Sequence, residues 1–377
     1  MILFSIPPWF VWGFSIWNVR IISILTILLS FKIITNSSIR QNYVIALFYF
    51  FAIIIMSFGG LLGYKLPTHV ELAMFIFILS FSKPMLIRIL DKFETVISYL
   101  FLVGIFLYII LIFVDLPSFY LEPLNPTKLG RYEVYLFLLK IQDGYFYSSF
   151  RFMSVFDEPG IVGSLLALLI SYRDIKYDNF RDFVFLIAGL ISFSLVFYIV
   201  LIINIFYSKY FKWRTILFLS LFLLGAYNFV PAFMKNVLLD RVYSDGKMTI
   251  QDNRSTSAFL FKYEQFKSGD NTAVLFGMGP GSIQELSQQI DLNVSSYKTI
   301  VYQYGYFGLC FFMLFFLVST WKLAPTQRGF YFYMIFLLVL WQRPGAFSYF
   351  NILIFFGGLS YISQESTRRG RIFLYDK

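Results

Sequence analysis

The sequence holds one cysteine and one histidine in 377 residues, and each scarcity removes a class of chemistry. Cys310 lies inside an apolar run, so neither a disulfide framework nor a thiolate metal site is available. His69 sits in a short connection between apolar runs with no second imidazole to share a metal, and reads as a solvated loop residue. Charge is sparse as well, at 14% of residues. The first apolar run has neither a basic start nor a small-residue cleavage site, so the first helix is expected to serve as an uncleaved insertion signal.

What fills the space is apolar: 58% of residues are hydrophobic and 22% aromatic. Runs at 43–62, 95–114 and 215–233 each approach the roughly 20 residues that a helix needs to cross a bilayer core. Further spans are expected at 9–31, 70–90, 161–172, 183–207, 299–321, 329–342 and 346–362. The expected fold is an all-α polytopic membrane protein, a bundle of about 10–12 transmembrane helices. It would form a single transmembrane domain over 1–377, with large extracytoplasmic loops at 115–158 and 234–296.

A net charge of +10 invites a nucleic-acid reading, but its distribution argues against one. The positive residues cluster in short connections: Lys32 and Arg40; Lys83, Arg88 and Lys92; Arg173, Lys176 and Arg181; Lys209, Lys212 and Arg214; Lys322 and Arg328; and Arg368, Arg369, Arg371 and Lys377. The two long polar loops instead carry more Asp and Glu than Lys and Arg. This is the positive-inside pattern, with both long loops outside. One crossing breaks the parity, because the run 183–207 links two basic connections and cannot hold two full spans at 1.5 Å per residue. The pattern therefore predicts a helical hairpin of two short halves turning near Ser192-Phe193-Ser194, against the alternative of one long tilted helix.

The first outer loop is rich in aromatics, among them Tyr120, Tyr132, Tyr135, Phe137, Phe150 and Phe152, which suits a loop packed back on the protein. It ends at Phe156-Asp157-Glu158-Pro159-Gly160-Ile161-Val162-Gly163, where two carboxylates meet the start of an apolar run. Ionisable groups at such a place point to a functional site. They also suit a helix cap, since Pro159 fits the first helical position. The second loop contains Phe276-Gly277-Met278-Gly279-Pro280-Gly281-Ser282. Without a following Lys-Ser/Thr or a βαβ pattern this is not a nucleotide loop. Its glycines are expected in a tight turn with φ > 0, whose amides are candidates to face an anion.

The stretch Arg151-Phe152-Met153-Ser154-Val155-Phe156-Asp157-Glu158-Pro159-Gly160-Ile161-Val162-Gly163 resembles the signature by which O-antigen polymerases and related oligosaccharide polymerases open a transmembrane helix after an outer loop. Leu275-Phe276-Gly277-Met278-Gly279-Pro280-Gly281-Ser282, then Tyr297, then Tyr304-Gly305-Tyr306-Phe307-Gly308-Leu309, is similar to the end of that family's large outer loop. The resemblance covers 151–309. It implies a multi-pass protein of the bacterial inner membrane that joins undecaprenyl-pyrophosphate-linked repeat units into O-antigen or a related surface polysaccharide at the periplasmic face. The implied partners are the lipid-linked oligosaccharide, membrane lipids and a chain-length regulator protein. Nucleic acid is not among them.

That chemistry asks for cations on the pyrophosphate leaving group and a carboxylate to take the acceptor's proton. Arg151 is the first candidate cation, because it lies in the matched motif, and Glu158 or Asp157 the base. Arg131, Arg241, Arg254, Arg343 and Tyr304 are candidate substrate-binding residues. None of the arginines is followed eleven residues on by glycine, a spacing associated with this family's outer loops. No Asp-x-Asp motif is present, and the expected transferase is metal-independent, with no cofactor. Three alternatives remain, one of them a purely structural membrane protein. An O-antigen ligase would pass the glycan to lipid A-core, but its family is associated with a large-loop histidine that this chain lacks. A polysaccharide flippase or transporter would not be an enzyme, and usually shows repeats or helix-breaking sites at the midplane.

Overall fold

The computed structural model describes residues 9–11, 78, 81–121, 132–141, 151–173, 179–207, 243–244, 247–248, 255–279, 281–289, 296–343 and 349–375. Expected spans at 43–62 and 215–233, most of 9–31, and His69 lie outside them. The described residues are mostly helical. They fall into two compact units, one drawn from Met1–Val96 and Thr256–Lys377, the other from Ile97–Ser255.

Helix α1 (Lys83–Phe113) contributes to both units. The interruption expected between 90 and 95 is absent, and the helix runs through it for about 46 Å. Asp91 and Lys92 are exposed while Leu90 and Phe93 on either side are buried. The exposed Asp91 and Lys92 and the buried Glu94 all leave the backbone ladder intact, which is why a polar cluster here did not mean a loop. Further on, Tyr99, Phe106, Ile109, Ile112 and Phe113 are all exposed.

In the unit Ile97–Ser255 the described part of the segment 115–158 is folded. Strands β1 (Phe119–Leu121), β2 (Tyr132–Tyr135) and β3 (Leu138–Ile141) form an antiparallel sheet, with Tyr132 opposite Ile141 and Tyr135 opposite Leu138. Leu136 turns the hairpin at φ 55°. Three short helices follow: α2 (Pro159–Tyr172), α3 (Phe180–Ile191) and α4 (Leu195–Tyr207). At about 21, 18 and 20 Å, none alone crosses a ~30 Å hydrocarbon core. Strands β4 (Tyr243–Ser244) and β5 (Lys247–Met248) pair separately.

The unit that includes Thr256–Lys377 contains α5 (Ser257–Lys267), α6 (Asn271–Phe276), α7 (Ser282–Gln289), α8 (Lys298–Leu323), α9 (Gln327–Gln342) and α10 (Tyr349–Tyr375). Phe259, Tyr263, Phe266, Leu286, Val301 and Tyr302 make a buried cluster that ties α5 and α7 to the first turns of α8. The ends of the long helices alternate. At one level Lys83 Nζ donates to Leu323 O (3.4 Å) and Ser363 Oγ (3.1 Å), and Arg328 pairs with Glu365 at 2.8 Å. At the opposite ends of α8 and α9, Tyr297 stacks on Trp341 with ring centroids 3.8 Å apart and its amide donates to Trp341 O. Helices α1 and α8 are each long and apolar enough to cross a membrane.

Helix α8 is bent at Gly305, whose φ of 68° and ψ of −178° leave the helix. A Cβ there would lie 2.0 Å from Leu275 O, and one on Gly277 (φ 83°) would lie 2.3 Å from Gln303 O. Glycine is thus required on both sides of the contact. The bend exposes carbonyls that the ladder no longer uses, and Met278 N donates to Tyr302 O (2.8 Å) and Gly279 N to Gln303 O (2.9 Å). The positive-φ turn expected in the glycine-rich loop is present. Its Met278 and Gly279 amides, however, serve α8 rather than an anion.

Candidate active site

The motif segment 151–158 is wedged between sheet and helices. Phe152, Met153, Val155 and Phe156 are each 1% exposed or less. On one side Leu139 N donates to Ser154 O (2.7 Å), Ser154 Oγ to Phe137 O (3.3 Å), and Tyr132 Oη to the Asp157 carbonyl (3.1 Å). On another, α1 presents Phe101 edge-on to Phe152 (5.9 Å) and Phe156 (6.1 Å), with Gly104 leaving room for the Ser154 hydroxyl. Aromatic spacing at helical intervals, legible in the sequence only as an apolar run, is what seats the motif.

The run 183–207 is two helices broken at Ser192-Phe193-Ser194, where the parity of the charges required a turn. Phe197 lies over Gly189, whose missing Cβ would fall 2.1 Å from the ring. In an unbroken helix those residues would be about 12 Å apart along the axis, so α4 folds back along α3. Arg151 holds the break. Its Nε donates to Ser192 O and a terminal nitrogen to Phe193 O, both at 3.0 Å. Phe152 N adds a bond to Ile191 O. Phe193 (φ 49°) and Ser154 (φ 50°) are both left-handed, so backbone strain of about 1–3 kcal/mol each is concentrated where the motif meets the break.

Glu158 occupies the N-cap position of α2, with extended backbone and Pro159 as the first helical residue. Its side chain makes no capping hydrogen bond; its carbonyl accepts from Ile161 N. What the carboxylate brings to the head of α2 is therefore its charge rather than a capping hydrogen bond.

Helices α2 and α4 run parallel. Gly163, in the first turn of α2, abuts Ser194, just before α4: a Cβ on Gly163 would sit 2.0 Å from the Ser194 Cβ. Two turns on, Asn204 Nδ2 of α4 donates to Ser171 Oγ of α2 (3.1 Å), which donates to Ala167 O. Small residues and buried interhelical hydrogen bonds are how helices associate in lipid. At the far end the half-buried Arg173 pairs with the buried Asp182 at 2.6 Å.

The structure thus brings Arg151, Asp157 and Glu158 into one segment beside the hairpin break. Tyr304, edge-on to Phe312 (6.3 Å), and Arg343, the C-cap of α9, belong to the other unit. Arg131, Arg241 and Arg254 lie outside the described residues. The sequence placed Ser194 in the turn but not among the site residues; its hydroxyl is buried without a partner, as is that of Ser164. Among the described residues no group of acids, histidines or cysteines is arranged to hold a metal. Compared with protein-family models, with curated proteins and with solved structures, the chain matches none.

Proposed function

We propose that the protein is a polytopic glycosyltransferase of the bacterial inner membrane that joins undecaprenyl-pyrophosphate-linked repeat units at the periplasmic face, in the manner of an O-antigen polymerase. The observation that carries this reading is the carboxylate at the head of α2: Glu158 stands at a helix start without capping it, beside a strained break pinned by a motif arginine. Exposed aromatic and aliphatic side chains along α1 support a lipid setting, since a buried core helix would hide them. Helix ends also alternate as the charge parity requires, with Lys83, Arg328 and Glu365 at the level assigned to the cytoplasm and Tyr297 and Trp341 opposite. The helix count of about 10–12 belongs to this proposal.

In the proposed step an acceptor hydroxyl oxygen attacks the anomeric carbon of the donor's reducing-end sugar. The bond from that carbon to the pyrophosphate oxygen breaks, undecaprenyl pyrophosphate leaves, and Glu158 takes the hydroxyl proton. Arg151 spends two of its donors on the hairpin carbonyls, so its main part is to position the break, with its charge adjacent to the leaving group. A transporter is the second reading, favoured by the broken hairpin and the Gly305 bend, both common at transport sites. Purified protein given lipid-linked repeat units separates the two. The enzyme yields longer glycans and releases undecaprenyl pyrophosphate; a transporter leaves the repeat units unchanged.

A further inference from the structure

Helices α2 and α4 point the same way, so the positive ends of their dipoles meet where Gly163 touches Ser194. Parallel dipoles side by side in a low-dielectric setting repel unless negative charge sits at their common N-terminal end. At α4 that end is uncapped. Ser194 takes the N-cap position, since Tyr198 N donates to Ser194 O, yet its hydroxyl, on a residue 2% exposed, has no partner. Among the described residues the amides of Leu195, Val196 and Phe197 meet no acceptor either, although Val196 and Phe197 are buried. The carbonyls just before them, Ser192 O and Phe193 O, are taken up by the Arg151 guanidinium. The break is therefore divided: its acceptors are spent on a cation, and a cluster of unspent donors remains. A buried donor left without an acceptor is costly, so the Ser194 hydroxyl, with the first-turn amides beside it, calls for one.

We propose that the N-terminus of α4, with the Ser194 hydroxyl and the first-turn amides, binds one phosphate of the pyrophosphate on the lipid-linked substrate. Anions at helix N-termini are met by amides and dipole together. Arg151 contributes its charge from the other side of the break while continuing to hold it closed. The assignment rests on the polymerase reading, which supplies the pyrophosphate, but not on where the glycosyl group goes.

The test is thermal unfolding of the purified full-length chain in detergent at constant ionic strength, titrated with inorganic pyrophosphate and, in parallel, with short-chain phosphatidylglycerol. The wild-type protein should be stabilised saturably by pyrophosphate. Ser194→Ala should shift half-saturation about tenfold, the effect of losing one hydrogen bond to a charged group. Ser194→Asp would place a permanent carboxylate on the same amides. It should unfold at higher temperature than wild type without ligand and lose its response to pyrophosphate. If Asp is too large beside Gly163, the Ser194→Ala titration decides alone. Absence of stabilisation by pyrophosphate, or an unchanged titration in Ser194→Ala, overturns the proposal. So does Ser194-dependent stabilisation by phosphatidylglycerol alone, which would assign the donors to a bilayer headgroup. Pyrophosphate binding through Ser194 in a protein that forms no polymer would instead keep the site and remove the polymerase reading.

Discussion

At Glu158 two roles differ in what the charge does. A base needs the carboxylate, whereas a helix cap needs only an acceptor oxygen, which glutamine also offers. Glutamine keeps the shape and an acceptor oxygen and removes only the charge at the helix N-terminus, so Glu158→Gln should change stability by about 1 kcal/mol or less while abolishing activity. Thermal unfolding beside a polymerisation assay reads both. Arg151 should behave oppositely. Removing a guanidinium that donates to two carbonyls costs on the order of 2–4 kcal/mol, so Arg151→Ala should lower both abundance and activity, and Arg151→Lys should recover little, because an ammonium cannot reproduce the planar fork. If Arg151→Ala keeps wild-type stability and loses activity alone, its part is direct rather than positional. The sequence marked Arg151 by its place in the motif. It gave no sign of the carbonyls that receive it, because that contact joins residues 41 and 42 positions apart.

Among the elements, the α8 bend and the glycine-rich loop depend on each other. Gly305→Ala combines a forbidden backbone angle with an overlap on Leu275 O, and Gly277→Ala one on Gln303 O, whereas Gly281 (φ 92°) has open space around it. Both former substitutions should destabilise by well over the roughly 1–3 kcal/mol of backbone strain that is all Gly281→Ala incurs, as measured by thermal unfolding. In the sheet, burial first and then the bond donated to Glu133 (2.8 Å) push the Tyr135 hydroxyl up to about 12. The folded state thus holds this proton more tightly than the unfolded chain. Its contribution is complete below pH 10 and is lost between pH 10 and 12. Tyr135→Phe should flatten stability against pH in that window. The broken hairpin was legible beforehand because charge parity is a global constraint that one unbroken helix cannot satisfy. The continuity of α1 was not, since Asp91, Lys92 and Glu94 look like a connection until the helix shows the first two exposed and Glu94 buried. The sheet of β1 to β3 was likewise invisible, its strands being only three or four residues long.

For the molecule as a whole the first question is sidedness. With Cys310 replaced, single cysteines at Asn125 and Asn271 should react with a membrane-impermeant thiol reagent in cells with a permeable outer membrane, and one at Ser366 should not. Labelling at Ser366 alone would invert the orientation and remove the periplasmic site. The decisive measurement is of the surface glycan itself, examined by gel in a strain that displays it on lipopolysaccharide and carries Glu158→Gln at normal protein abundance. A polymerase whose base is Glu158 should leave core bearing a single repeat unit, because ligation proceeds while chain extension stops. Bare core would contradict it, with lipid-linked polymer accumulating for a ligase or unpolymerised units retained inside for a flippase. So would a ladder of wild-type length when Glu158→Gln is combined with Asp157→Asn.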